Sequence, residues 1–187
     1  MIAVTITAIR QATPSVKVFT RATGSERFEF FAGQWVDCYA EVAGQIEVGG
    51  YSLTSSPLTR GAVEIAVKQA AEHPVTRFLH ERATVGDQLY LVGGQGSCYF
   101  TAGMAQALVL IAGGIGITPL MSIARYVQDT ARDVRVTVIH SARSPEEHLF
   151  RAELERMAAD NELLRCAFVV TRGTGDQSAS HSGRIDR

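Results

Sequence analysis

Residues 109–120 read V-L-I-A-G-G-I-G-I-T-P-L, an apolar run that breaks into three glycines and then a Thr-Pro pair. The continuous apolar run Leu108–Ala112 predicts a strand buried on both faces of a parallel sheet. Thr118 is placed to cap a following helix, and Pro119 suits its first position because it needs no amide partner. This order predicts a helix N-terminus that faces a ligand. The helix has apolar residues at i, i+3, i+4 and i+7: Leu120, Ile123, Ala124 and Val127.

The rest of the C-terminal half continues the same alternation. Val134–His140 and Cys166–Thr171 are two further predicted strands. Between them, Ser144–Glu147 predicts a helix start, with Ser at the N-cap and Glu closing a capping box. The βαβαβ order predicts a partial α/β doubly wound domain over residues 103–187. The second helix has an apolar face of three residues: Phe150, Leu154 and Met157.

The N-terminal half has a different rhythm. Short β-branched or aromatic segments recur about every dozen residues with turn residues between them, which is typical of a small antiparallel barrel. Helical spacing after Pro74 adds one capping helix. We therefore expect an antiparallel β-barrel over residues 1–102, with a domain boundary between Tyr99 and Gln106. The predicted strands are Val4–Ile9, Val16–Phe19, Arg27–Phe30, Trp35–Tyr39, Val63–Val67 and Gln88–Val92.

Composition and charge exclude several classes of protein. The chain has 187 residues, 46% of them hydrophobic, and a formal net charge of -1, so nucleic acid is not expected as the main partner. No apolar stretch approaches the roughly 18 to 20 residues that cross a bilayer, and the N-terminus lacks a signal-peptide pattern. We therefore expect a cytoplasmic protein without membrane insertion. Three scattered cysteines and five scattered histidines show no metal-ligand spacing, so an organic redox cofactor is expected.

The glycine turn differs from the usual dinucleotide fingerprint. G-x-G-x-x-G requires a third glycine, whereas Gly114–Gly116 is followed by Thr118 and Pro119. The acid expected after the second strand is also missing, because His140–Arg143 contains none. Three glycines still let the backbone approach a nucleotide closely, and a tight turn without a ligand is the alternative.

Nearly the whole sequence resembles the ferredoxin-NADP reductase superfamily of flavin-dependent reductases. The most specific match is Gly113–Pro119, which fits every specified position of that family's G-G-x-G-x-T-P turn. Val48–Ser52 and Glu64–Lys68 look most like the oxidoreductase NAD-binding domain-containing branch. Other segments fall in family order: Phe31–Gln34 for F-x-P-G-Q with Ala replacing Pro, Tyr51–Ser55 for the end of R-x-Y-S-x-x-S, Val67-Lys68, His73–His80 and Gly93–Gly96.

Two departures from the family pattern bear on function. Gly49 stands where the flavin motif has an arginine that helps to hold the flavin pyrophosphate. The resemblance then implies either that Arg77 supplies part of this charge or that flavin, as FAD or FMN, binds more weakly. The chain also stops at Arg187, before the family's C-G-P-x-x-M loop. A fragment of a longer protein and a C-terminally shortened relative are both consistent with that stop.

The resemblance implies a flavin site on the barrel. Tyr51 is expected to stack on the isoalloxazine, and Ser52 to place a hydroxyl near the hydride-accepting nitrogen, so these two are the catalytic candidates. Thr76 and Arg77, at a helix start, are expected to contact the flavin pyrophosphate. The other flavin-binding candidates lie near them on two segments: Leu53, Thr54, Ala66, Val67 and Lys68.

On the nucleotide side, the resemblance places nicotinamide and its phosphates at the glycine turn. Arg143 and Arg172 follow strand ends, where the adenosine part is expected. Because guanidinium matches phosphate and no ribose-binding acid is present, NADPH is favoured over NADH. The candidates in the turn are Gly113, Gly114, Gly116, Thr118 and Pro119.

These inferences predict an NAD(P)H-dependent flavoprotein oxidoreductase. Hydride passes from NAD(P)H to FAD, and electrons leave to an unidentified acceptor that could be a separate protein. The alternative is a non-catalytic or electron-transfer module that keeps the fold but binds flavin and nucleotide weakly. Gly49 and the stop at Arg187 favour that alternative.

Overall fold

The computed structural model describes residues 1–24, 28–130, 133–172 and 181–183. These residues form two sheets and three α-helices, none of which combines the length and apolar composition that a membrane crossing requires. The helices are α1 (Pro74–Glu81), α2 (Ile117–Thr130) and α3 (Arg151–Asp160). The strands are β1 (Ile2–Thr13), β2 (Val16–Ala22), β3 (Trp35–Val42), β4 (Gln45–Ser52), β5 (Ala62–Lys68), β6 (Gln88–Gln95), β7 (Ala107–Gly113), β8 (Arg135–Ala142), β9 (Leu164–Val170) and β10 (His181–Ser182).

The N-terminal sheet has six antiparallel strands in the order β4-β3-β6-β1-β2-β5. Side chains that alternate along each strand fill its interior, as Val36, Cys38 and Ala40 do on β3. The sheet curls until its two edges approach at a bridge between Leu53 and Ile65, and α1 packs against β3, β4 and β5. The predicted antiparallel barrel with one capping helix is therefore confirmed.

Two details of the predicted barrel are wrong. Phe28–Phe30 form no strand, and Arg27 lies outside the described residues. The rings of Phe28 and Phe30 pack with centroids 6.1 Å apart, and Phe28 is buried in the barrel core, so these aromatics serve packing and not a hydrogen-bonded ladder. The sequence prediction also omits β4, because its Gly49-Gly50 pair is untypical of a strand.

The C-terminal sheet is parallel, with the order β10-β9-β8-β7. Helix α2 packs against β7, and α3 packs against β9. The register of β7 on β8 ends with Gly113 beside Ser141, so the carboxyl ends of both strands meet at the glycine turn. The predicted partial α/β nucleotide-binding architecture is confirmed.

Strand β7 is buried on one face only. Leu110 and Ala112 are buried in the core, whereas Val109 and Ile111 are 65% and 60% exposed. β7 is an edge of the sheet, and no helix in the described part of the chain covers its second face. The expectation of burial on both faces is wrong for that reason.

The start of α2 differs from the prediction. Gly114–Gly116 forms a 3-10 turn that runs directly into α2, which begins at Ile117. Thr118 therefore lies inside the helix, and its hydroxyl donates to the Ile115 carbonyl at 3.0 Å instead of capping a backbone amide. Pro119 lies in the first turn, where its missing N–H leaves no bond unmade.

The start of α3 also differs. Pro145–Glu147 is a separate 3-10 turn, and the Ser144 side chain makes no capping hydrogen bond. Phe150 then adopts a left-handed conformation with φ 64°, so the helix begins only at Arg151. Of the three predicted apolar residues, Phe150 and Leu154 are buried, and Met157 packs against the core.

One apolar cluster spans the two sheets, beside the separate core inside the barrel. Val16 and Ala66 of the barrel belong to the same buried cluster as Met121 of α2. Across this boundary, the buried Ser122 hydroxyl donates to the Ser55 carbonyl at 2.7 Å. This contact fixes α2, and the glycine turn before it, against the barrel.

Candidate functional site

A cleft of about 580 Å³ lies where the barrel meets the α/β domain. Strand β5, which ends at Lys68, packs against the Gly114–Gly116 turn, so the two domains supply opposite walls. Four predicted site residues are brought together here: Lys68, Gly113, Gly114 and Arg143. The remaining lining residues are Ser15, Ser141, Ala142, Glu147 and Thr171.

The glycines of the turn leave open space. A Cβ built on Gly113, Gly114 or Gly116 would meet no atom within 4 Å outside its immediate neighbours. Gly114 has φ 51° and so favours glycine, but Gly113 is extended at φ -113° and ψ 120°, which any residue adopts. Packing within the protein does not require glycine at Gly113, so its small size is available for a ligand.

A buried histidine holds the glycine turn. The Nε2–H of His140 donates to the Gly114 carbonyl at 3.0 Å, and His148 Nε2–H donates to the His140 carbonyl at 3.2 Å. Burial, the largest cause, lowers the pKa of His140 to about 4. Its Nδ1 has no hydrogen-bond partner among the described residues, so a second proton there would be buried without an acceptor.

Acid is therefore expected to destabilise the fold through His140. The folded pKa of about 4 lies below the ordinary 6.5, so the unfolded chain binds more protons between these values. The stabilisation is complete above pH 6.5 and is lost as pH falls towards 4, up to about 3 kcal/mol. Urea unfolding at several pH values should show this slope in the wild type and lose it in His140→Gln. An unchanged slope in that variant would assign the acid sensitivity to other groups.

At the barrel edge, Tyr51 turns towards the start of α1. Its hydroxyl and that of Thr76 are hydrogen-bonded at 2.9 Å. A Cβ on Gly49 would lie 2.6 Å from the Tyr51 hydroxyl oxygen, so the tyrosine ring covers the glycine that replaces the motif arginine. Burial raises the pKa of Tyr51 to about 12, which keeps the phenol protonated. Ser52 ends β4 and is half-buried, and Arg77 is exposed on α1.

Most other barrel candidates face the interior. Leu53, Ala66 and Val67 are buried, so their side chains are not accessible to a ligand. Thr54 is buried as well, and its hydroxyl donates to Glu64 at 2.6 Å. The structure therefore separates these four residues from Lys68, which is exposed and lines the cleft.

The two predicted arginines of the α/β domain are neighbours. The Arg172 amide donates to the Arg143 carbonyl at 3.0 Å, so both follow their strands at the same edge of the sheet. Both are exposed, and Arg143 lines the cleft. Thr118 is buried behind the turn, and Pro119 is half-buried, so these two shape the turn from within the helix.

Sequence reasoning missed a contact that joins the domains across the cleft. Glu147 accepts hydrogen bonds from Ser15 at 2.8 Å and from Thr13 at 3.5 Å. The sequence pattern assigns Glu147 to a capping box and therefore predicts no contact with the barrel. Its only signal was the polar turn between β1 and β2, and that turn does not identify a partner 132 residues away.

The cleft fits a phosphorylated planar organic molecule. The open glycine turn admits a flat group, while Lys68 and Arg143 offer cations for phosphate. At the barrel edge, Thr76 in the first turn of α1 adds a hydroxyl beside amides that lack helical partners. FAD and a nicotinamide nucleotide both match this chemistry.

Comparisons with known proteins agree with the fold and the site. Residues 3–100 match the oxidoreductase FAD-binding domain, and residues 110–187 match the oxidoreductase NAD-binding domain. The chain is 34% identical to the glycine betaine monooxygenase reductase subunit of Chromohalobacter salexigens over 84% of this chain and 44% of that protein. It is 34% identical to human oxidoreductase NAD-binding domain-containing protein 1 over 86% of this chain and 56% of that protein. The chain thus spans about half the length of these curated relatives.

Solved structures share the fold at low identity. The flavohem-like FAD/NAD binding domain of nitric oxide dioxygenase from Vibrio cholerae superposes with a TM-score of 0.86 at 21% identity, over 98% of this chain and 79% of that one. A ferredoxin NADP+ reductase from Neisseria gonorrhoeae with bound FAD and NADP gives 0.79 at 22% identity, over 97% and 72%. The family predicted from the sequence motifs is confirmed: the chain belongs to the FAD- and NAD-binding oxidoreductases of the ferredoxin-NADP reductase superfamily.

Proposed function

We propose that this chain forms the reductase unit that moves electrons from NAD(P)H through FAD to an acceptor. The observation that carries the proposal is the cleft in which Lys68 of the barrel faces the open glycines of the turn. FAD, when bound, supplies the hydride-accepting and electron-transfer chemistry. The protein's part is to bind, orient and exclude water, and no side-chain nucleophile is required.

On the flavin side, the barrel residues divide into two roles. Tyr51 provides an aromatic face and Ser52 a hydroxyl near the reacting ring. Thr76 and Arg77 hold the phosphates at the start of α1, where backbone amides and a cation converge. The ring edge is lined by backbone groups of the two strand ends, Leu53-Thr54 and Ala66–Lys68.

On the nucleotide side, Gly113, Gly114 and Gly116 admit the nicotinamide, and His140 fixes the turn through the Gly114 carbonyl. Thr118 and Pro119 shape the start of α2 beneath it. Arg143 and Arg172 lie at one sheet edge, where two guanidinium groups suit an additional 2′-phosphate. NADPH is therefore the preferred donor, ahead of NADH.

We assign residues 1–102 to the flavin-binding barrel and 103–187 to the NAD(P)-binding domain. The acceptor is proposed to be a separate protein, because the Chromohalobacter relative is a reductase subunit of a monooxygenase. A second candidate is an electron-transfer or flavin-binding module without nucleotide turnover. The Tyr51 ring in place of the motif arginine at Gly49 favours that candidate, because one phosphate-binding cation is lost there.

Anaerobic titration separates the two candidates. The 187-residue chain is loaded with FAD, desalted and mixed with NADPH or NADH. A reductase should keep its FAD through desalting. Its flavin absorbance should then bleach on mixing with the nucleotide, faster with NADPH than with NADH. Retained flavin that no nucleotide bleaches would support the module without turnover. Failure to retain or take up FAD at all would refute both candidates.

A further inference from the structure

Arg21 on β2 is fully buried without a hydrogen-bond partner. Its side chain is 0% exposed, and Nε, Nη1 and Nη2 all lack an acceptor among the described residues. A guanidinium remains charged in proteins, and a buried charge without a counter-ion costs several kcal/mol. Such a cation is suited to bind an anion.

The position of Arg21 is the barrel interior next to the flavin motif. Its guanidinium lies 5.8 Å from the centre of the Phe19 ring and interacts electrostatically with Cys38 and Tyr51. Cys38 is paired across the ladder with Gly49, so both face inward with Tyr51. Arg21 therefore lies in the barrel interior near Cys38, the cross-strand partner of Gly49.

Cys38 does not neutralise this cation. The thiol is fully buried, and burial raises its pKa, so it stays protonated at neutral pH. A protonated thiol offers only a weak acceptor. At neutral pH, therefore, Arg21 has no negatively charged partner among the described residues.

Tyr51 connects the surroundings of Arg21 with the start of α1. Tyr51 lies over Gly49 and reaches Thr76 in the first turn of α1. His73, at the N-cap of the same helix, is 2.9 Å from the Gly49 Cβ position, and its buried Nδ1 also lacks a partner among the described residues. Tyr51 thus lies near two groups that have buried nitrogens without a partner among the described residues, Arg21 in the barrel interior and His73 at the helix start.

We propose that Arg21 is a buried phosphate-binding residue that pairs with the pyrophosphate of FAD when the Tyr51 side chain rotates away from Gly49. The inference rests on the proposed flavin-binding function. Arg21 then does from the barrel side what the family arginine does from position 49, and glycine at 49 leaves room for the Tyr51 hydroxyl in the flavin-free state. In the flavin-free protein, the unpaired charge of Arg21 lowers the stability of the fold, which is the cost of keeping that binding site.

The test compares FAD with riboflavin, which lacks phosphate. Arg21→Met should weaken FAD binding at least about 10-fold while riboflavin affinity stays unchanged, because only the charge-assisted phosphate contact is lost. It should also raise the melting temperature of the flavin-free protein, which shows that the variant folds. Arg21→Lys keeps a positive charge but loses the planar guanidinium, so its FAD affinity should lie between those of the wild type and Arg21→Met. Arg10→Met, on the exposed part of β1, is the matched control and should change neither affinity.

Each outcome decides the assignment. Equal weakening of FAD and riboflavin would show that Arg21 only shapes the barrel. Unchanged FAD affinity in Arg21→Met, with a wild type that binds FAD, would overturn the inference and leave the proposed function intact. A wild type that binds neither flavin would remove the proposed function and the inference with it.

Discussion

Gly113→Val is expected to lower the rate of flavin reduction by NAD(P)H at least about 100-fold while the protein stays folded. Valine is compatible with the extended backbone at this position, and its Cβ meets no atom within 4 Å. The unfolding free energy should be unchanged or higher by up to about 1 kcal/mol, because glycine loses more chain entropy on folding. The added methyl groups occupy the cleft beside Lys68, where the proposed nicotinamide lies.

Stopped-flow mixing of the FAD-loaded protein with NADPH measures this effect, and a thermal melt checks the fold. FAD affinity should not change, because Gly113 lies on the wall opposite the barrel. Gly113→Ala is the graded control and should give a smaller loss, since it adds one carbon. Wild-type reduction rates in Gly113→Val would show that the nucleotide does not approach this turn.

The barrel and the parallel strands were predictable because each half has a constant hydrophobic rhythm. Alternation in β1, β2, β3, β5 and β6 follows the pleat, and the apolar run before Gly113 correctly predicts strand β7, although only one face of that strand is buried. Strand β4 escaped prediction because its Gly49-Gly50 pair weakens the β pattern, although cross-strand pairing with β3 overrides that weakness.

Capping residues did not predict the starts of α2 and α3, because contacts with distant residues determine the backbone there. Ser144–Glu147 carries the residues of a capping box, yet Glu147 bonds to Ser15 on the other domain and the helix starts only after Phe150. Thr118 has a good capping side chain, but the 3-10 turn at Gly114–Gly116 had already begun the helix. Neither competing interaction follows from residue spacing.

The candidate site was predictable only where a family motif exists. The glycine turn, Lys68 and Arg143 do meet in one cleft. His140, Arg21 and Arg125 belong to no motif, since their roles come from burial and from partners on other elements. From the sequence, an arginine in a strand is expected on the surface, but the structure buries Arg21 without a hydrogen-bond partner among the described residues.

Arg125→Met is expected to destabilise the fold by about 3 kcal/mol and to slow flavin reduction. Arg125 on α2 donates two hydrogen bonds to the carboxylate of Glu153 on α3, from Nε at 2.7 Å and from Nη2 at 2.8 Å. Its Nη1 also bonds to Glu64 of β5 at 2.7 Å and to the Thr54 carbonyl at 2.8 Å. Removing the cation leaves two carboxylates, 19% and 26% exposed, without their partner.

The charge of Arg125 is secured by this network. Burial by itself lowers the pKa of the guanidinium, but the hydrogen bonds to Glu153 and the attraction of Glu64 outweigh it and raise the pKa. Glu153→Gln should therefore be clearly destabilising. Glu155→Gln on the same helix is the matched control, because its pair with Arg151 is more exposed and is worth at most about 0.5 kcal/mol.

The same network links the two domains. Thr54 and Glu64 lie on the proposed flavin side, whereas α2 carries the glycine turn at its start. A shift of about 1 Å between reacting groups can lower a rate about 100-fold, so Arg125→Met should reduce the rate of flavin reduction more than it weakens NADPH or FAD binding. Stopped-flow rates and equilibrium titrations on one preparation separate the two effects.

A charge-free variant distinguishes positioning from stability. Arg125→Met combined with Glu64→Gln and Glu153→Gln removes the unpaired carboxylates, and replacement of a whole buried ion network is often neutral or stabilising. The melting temperature should therefore recover, while the reduction rate should stay low because the link between β5 and α2 is gone. If the rate recovers together with stability, the network serves only folding, and the apolar core around Met121 is sufficient to position the domains.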